Sequence, residues 1–207
     1  MPACHAEVME LQRAVRTRRM IRNYDPDRPV PRDVLESVLN LAIRAPSAGH
    51  TQGWRFLVLD DITSRSRFWS ATTEDGPADS WLRRMQSAPA LIVCLSDKDA
   101  YLDRYAEPDK GWDDKDEARW PVPYWHIDTG MAAMIILLAA HDLGLGACFF
   151  GIPPERWPTF FEAFSVPPHL APVGVVSLGY PAPDVKSPSL KRGRRSLTDV
   201  VAYGSFG

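Results

Sequence analysis

The sequence predicts a domain of helices packed over a single β-sheet, of either the α/β or the α+β class. Three observations carry that reading. Segments with helical spacing alternate with short apolar strand-like runs along all 207 residues. No two neighbouring strand-like runs are joined by a hairpin turn, so helices must lie between them. One stretch, Trp125 to Leu143, is apolar nearly all round between Met131 and Ala140, as befits a helix in a core or at a subunit interface.

In order along the chain, Ala6 to Val15 has helical spacing, with Val8, Leu11 and Val15 on one face. The stretch "PRDVLESVLNLAIRAPSAG" is a clearer helix. Pro31 suits its first turn, and Val34, Leu35, Val38, Leu39 and Leu41 to Ile43 form its apolar stripe. It ends near Ala45-Pro46, because the residue before a proline disfavours the helical conformation. "WRFLVLD" reads as a strand, residues 61–87 as two helical pieces, and "PALIVCLS" as a fully buried strand. Residues 97–124 then change character, with nine carboxylates, five Lys or Arg, three prolines and two tryptophans. So long an irregular stretch predicts a lid or insertion, or else a solvated surface excursion. After the apolar helix come a strand in "GLGACFFGI", a helix in "PPERWPTFFEAF" and a last strand in "APVGVVSLGYP". The tail, 186–207, is basic and then apolar. The length suits one domain spanning 1–207.

Composition narrows the function. The formal net charge of −2 argues against a general nucleic-acid binder, which needs a basic face. Cys4, Cys94 and Cys148 are odd in number and lack metal-ligand spacing, so no metal site is expected, and Cys94 and Cys148, in apolar runs, are expected to be packed thiols. There is no signal-peptide core at the start and no run long enough to span a bilayer, which predicts a cytoplasmic protein.

Against that mildly acidic background, "RTRRMIRNY" places Arg16, Arg18, Arg19 and Arg22 within seven residues. A second basic cluster, Lys191, Arg192, Arg194 and Arg195, lies near the other end. The planar guanidinium fork bonds two phosphate oxygens at once, so two such clusters could converge on one phosphate. Either alone also reads as helix-dipole complement or solvated charge. "RAPSAGHTQGWRF" offers Ser47, His50 and Gln52 on a loop between a helix and a strand, where binding groups are common. "LGLGACFFG" permits close backbone approach but lacks a dinucleotide fingerprint.

Taken in order, "RRMIRNY", "APSAGHTQGWRF", "AAHDLGLGACFFG", "SLGYP" and "KRGRRSLTDVV" resemble the flavin-dependent nitroreductase family over nearly the whole chain, the 97–124 stretch least. The resemblance implies an α+β fold, a mixed sheet sandwiched by helices, forming a homodimer through the long central helix with FMN at the interface. Arg18 and Arg19, with Arg192 and Arg194, would hold the FMN phosphate. Arg22 would sit at the pyrimidine edge, where a cation stabilises the negative charge of the reduced ring. Pro46, Ser47, His50 and Gln52 match the loop that in this family reaches the flavin from the partner subunit. Phe149, Phe150 and Gly151 match the segment along the ring. Met20 replaces the usual serine, His50 the usual asparagine and Gly53 a proline.

The activity so implied is ping-pong hydride transfer from NADH or NADPH to a nitroaromatic, quinone or similar small oxidant, with no catalytic acid or base assigned. Trp112, Trp120, Tyr124, Trp125 and Phe149 are candidate pocket walls, or else the tryptophans pack the insertion itself. Deazaflavin-binding and flavin-fragmenting relatives, a flavin store or sensor, and a protein-interaction module are the competing readings.

Overall fold

The computed structural model describes residues 10–74 and 76–206. Among these residues eight α-helices surround a four-stranded sheet: α1 (Leu11–Thr17), α2 (Arg32–Ala42), β1 (Trp54–Leu59), α3 (Ile62–Thr72), α4 (Ser80–Met85), β2 (Ala90–Asp97), α5 (Lys98–Ala106), α6 (Tyr124–Asp142), β3 (Gly146–Phe150), α7 (Trp157–Phe164), β4 (Leu170–Gly179) and α8 (Leu197–Val200). Local chemistry sets several starts. Asp61, Asp79 and Asp97 each stand just before a helix and accept a backbone N–H from its first turn, from Ser64, Leu82 and Ala100 respectively. Pro31 caps α2, where its fixed φ suits helix entry.

The strand order is β1-β2-β4-β3, and all three pairings are antiparallel. This selects α+β over α/β. The expected mixed character enters through one short piece, a parallel bridge between Met20 and Ala147 beside β3. Each strand reaches the next through at least one helix, as the lack of hairpin signals required.

The sheet is covered on both faces. Along β2 the pleat sends Ala90, Ile92 and Cys94 into one cluster and Leu91, Val93 and Leu95 into another. The first packs under α2 and α6, through Leu35, Val38, Ile136 and Ala140. The second packs under α3 and α7, through Phe68, Trp69 and Phe160. A strand buried on both faces has to be apolar throughout, which is why "ALIVCL" shows no alternation.

Two helices differ from expectation. The first begins at Leu11 among the described residues; Ala6 to Val8 lie outside them, as does Cys4. Leu11 and Val15 point outward, 70% and 51% exposed, and Ala14 is the residue that packs. The 97–124 stretch is not irregular throughout, because α5 occupies its first third. Cys94 and Cys148 are buried free thiols, and burial pushes the Cys94 pKa up to about 12.

On α6 the buried side includes Trp125, Asp128, Ala132, Ile136 and Ala140. Tyr124, Ile127, Met131 and Met134 are exposed. Their spacing of three, four and three residues is that of a helix-packing seam. Among the described residues no helix is long and apolar enough to cross a membrane.

Candidate flavin-phosphate site

Arg18 caps the end of α1, and the chain then runs extended beside β3. The Ile21 N–H donates to the Ala147 carbonyl at 2.9 Å. The Ile21 side chain lies over Gly146, where a Cβ would come within 2.8 Å of it, so only glycine admits this approach. On its other side the same segment is tied to the chain leaving β4. The Arg22 N–H donates to Asp184 Oδ2 at 2.8 Å, Asn23 Nδ2 to the Pro183 carbonyl at 2.8 Å and the Ala182 N–H to the Asn23 carbonyl at 3.1 Å. Tyr24 anchors the end of the segment: it is 1% exposed, and its hydroxyl meets Ser177 Oγ at 2.7 Å.

This stitching closes a cavity of about 530 Å³. Arg18, Arg19, Arg22, Lys186 and Arg194 line it, against one carboxylate, Asp184, with Met20, Ser187 and Ser189 between. The two sequence-distant arginine clusters therefore do meet, through Arg194. Arg192 lies in the exposed 3-10 turn Pro188–Arg192 and is not among the lining residues. Arg18 Nε and Nη1 are buried in the protein with no hydrogen-bond partner. Two orphaned donors on one guanidinium are costly unless an acceptor arrives, and a phosphate oxygen suits them. Asp184 Oδ1 is orphaned too and would accept from a ligand hydroxyl.

A smaller cavity of about 280 Å³ adjoins it across Arg18 and Arg19 and includes His141 and Thr17. Thr17 Oγ1 donates to the Arg13 carbonyl and meets His141 Nε2 at 2.7 Å, so this ring nitrogen is the donor of the pair. Burial, then the neighbouring Arg18, lowers the His141 pKa.

The other candidates occupy separate places. Met20 Sδ accepts the Phe149 N–H at 3.5 Å, so that amide is already engaged. Phe149 and Phe150 point to opposite faces of β3. Phe149 fills the notch left by Gly174, while Phe150 stacks on Trp69 at 5.6 Å and 10°. Gly151 borders a third cavity, of about 440 Å³, with Phe150, Trp69 and Trp81. The Pro46–Gln52 loop does not line the arginine cavity of its own chain. Its Ser47 Oγ accepts the Gln52 N–H at 2.9 Å, and His50 and Gln52 both hold φ of +55°.

The aromatic residues of the insertion pack mainly on one another. The Trp120 ring lies 4.5 Å from Tyr105, 5.5 Å from Trp112, 5.7 Å from Tyr124 and 6.0 Å from Trp125. Trp125 is buried. Trp120 and Trp125 also border a cleft of about 710 Å³ beside His126 and Trp157, whereas Trp112 and Tyr124 do not. Packing of the insertion thus accounts for Trp112. Among the described residues no cluster of His, Cys, Asp and Glu suits a metal ion.

Comparison with known proteins agrees with this architecture. The nitroreductase family model matches residues 15–180. A Methanothermobacter thermautotrophicus protein named NADH dehydrogenase/NAD(P)H nitroreductase is 32% identical over 182 residues, covering 84% of this chain and 78% of the relative. A Thermus thermophilus NADH dehydrogenase is 28% identical, covering 84% and 88%. Among solved structures, a Desulfovibrio desulfuricans nitroreductase in complex with FMN superposes with a TM-score of 0.68 at 27% identity, covering 96% of this chain and 99% of that one. The chain belongs to the nitroreductase family, a family of oxidoreductases.

Proposed function

We propose that this protein is an FMN-dependent oxidoreductase that takes hydride from NADH or NADPH and passes it to a small oxidant such as a nitroaromatic or quinone. The observation that carries the reading is the Arg18 guanidinium, with two buried unpartnered donors in a cavity of five cations and one carboxylate. Such a site suits the 5′-phosphate of FMN. Bound FMN supplies the hydride chemistry at its ring. The FMN complex of the Desulfovibrio desulfuricans relative supports the same cofactor.

The chain's own contributions are placement and charge. Arg18, Arg19 and Arg194 would hold the phosphate. Arg22 adds positive charge where the ring's pyrimidine edge would lie, favouring negative charge there. The backbone of Phe149, Phe150 and Gly151, at the end of β3, would flank the ring. Pro46, Ser47, His50 and Gln52 lie away from the cavity of their own chain and so serve the site of a second copy. The exposed Tyr124, Ile127, Met131 and Met134 seam on α6 supplies the surface for that homodimer. Donor and oxidant would use one pocket in turn, which gives ping-pong kinetics.

The test is stopped-flow and steady-state kinetics of the FMN-loaded protein. NADH or NADPH alone should bleach the flavin once, and adding a quinone should give sustained turnover with parallel double-reciprocal lines. Intersecting lines would remove the ping-pong mechanism. A single bleach that no oxidant reverses would leave a flavin store.

A further inference from the structure

Asp128 is a buried carboxylate, 3% exposed, in the mainly apolar helix α6. A charge so placed is costly unless it is hydrogen-bonded. Its Oδ2 accepts the Ala48 N–H at 2.8 Å and the Tyr101 hydroxyl at 2.8 Å. These two donors come from different segments, the Pro46–Gln52 loop and the insertion helix α5. The same segments meet again nearby. Arg104 Nε donates to the Gly49 carbonyl at 2.9 Å, and the Tyr105 ring fills the space that a Cβ on Gly49 would occupy. The Tyr101 ring does the same at Gly53.

This clamp surrounds a strained stretch of backbone. His50 and Gln52 are left-handed at φ +55°, a conformation that persists in non-glycine residues only where the surroundings determine it. We propose that Asp128 is a positioning residue: its carboxylate locks the Pro46–Gln52 loop and α5 into one unit, so that His50 and Gln52 are held ready at the flavin ring and α5 does not swing as a free lid. The proposal rests on the flavin reading above, and it places the effect at the ring rather than at the phosphate.

FMN and riboflavin, which lacks the phosphate, separate the two effects. Each is titrated against the full chain by flavin fluorescence, with melting curves recorded alongside. Asp128→Ala should weaken both ligands by the same factor, about tenfold, as expected when a small set of ordered contacts is lost. Tyr101→Phe, which removes one donor, should weaken both by about two- to threefold. Asp128→Asn, whose amide oxygen can accept the same two donors, should return close to the parent protein. If Asp128→Ala does not fold, Tyr101→Phe decides alone. A folded Asp128→Ala that binds both ligands normally, or loses only its preference for FMN over riboflavin, overturns the proposal. If the parent protein binds FMN tightly and the variants bind it equally well, the flavin reading stands without the proposal. If the parent binds neither ligand, both fall.

Discussion

Replacing Arg18 and Arg194 together by alanine removes the two guanidinium groups on which the phosphate site most depends. The structure sets the size of the loss. Arg18 Nε and Nη1 are already buried and unpartnered, so bonding a phosphate there incurs little further desolvation. A charge-assisted hydrogen bond to such a group nets about 1.5–3 kcal/mol, and Arg18 belongs near the top of that range. Arg194 lies on the exposed tail and is screened by solvent, so it adds about 0.5–1 kcal/mol. The sum, about 3–4 kcal/mol, corresponds to a loss of FMN affinity of roughly two to three orders of magnitude. Apo-protein titrated into FMN, with quenching of its fluorescence as the readout, measures this directly. Riboflavin is the control, and its affinity should change little. Raising the salt concentration should weaken FMN binding to the parent protein more than to the variant. An unchanged FMN affinity, or equal losses for FMN and riboflavin, would show that the phosphate is held elsewhere.

Further outcomes follow from particular residues. Met131→Asp with Met134→Asp puts two charges into the exposed α6 seam, and sedimentation should show a dimer for the parent protein and a monomer for this variant. Gly151→Ala should leave the melting temperature unchanged, since a Cβ there meets nothing within 4 Å, yet weaken FMN if the ring lies along that backbone as proposed. Gly174→Ala, by contrast, drives a Cβ into the Phe149 ring and should cost about 1–3 kcal/mol in chemical denaturation. The pH dependence has a definite sign. Burial lowers the pKa of His126 and of His141 below the ordinary 6.5, so the unfolded chain binds more protons there. Apo-protein stability is therefore fullest above pH 6.5 and falls as pH drops through it, a trend that thermal melts would record. At His141, Arg18, Arg13 and Arg19 depress the pKa further, and Asp142 opposes them. A bound phosphate would offset those arginines and favour protonation. The FMN affinity of the parent relative to His141→Asn should thus grow as pH falls, and a flat ratio would contradict this.

Much of the fold was legible because its signals are local. The β2 run "ALIVCLS" is apolar on both faces, and it could only be a buried strand or a helix too short to stand alone. The alternation of helix and strand without hairpin turns required long connections. Their antiparallel sense was not legible, since it depends on where each helix returns the chain. In the insertion, α5 was hidden by its charge, because Tyr101, buried with its hydroxyl on Asp128, is one of few core contacts in a carboxylate-rich stretch.

The site divides along the same line. Arginine is conspicuous in sequence, so Arg18, Arg19, Arg22 and Arg194 could be named in advance. Asp184, Lys186, Ser187 and Ser189 could not, because they reach the cavity only when the chain after β4 crosses back over Arg22. Arg192 belonged to the same basic cluster as Arg194, yet it ends the short 3-10 turn while Arg194, past Gly193, reaches the cavity. Asp128 did leave a trace, as a carboxylate one turn before the apolar run Met131 to Ala140, but its partners lie 80 and 27 residues away in sequence.

A crystal structure of the full chain with FMN tests the central claim most directly. The phosphate should lie within about 3 Å of Arg18 Nε and Nη1, with the Arg194 guanidinium closing over it from the tail. A phosphate seated in any other cleft, with both Arg18 nitrogens still lacking an acceptor, would contradict the account.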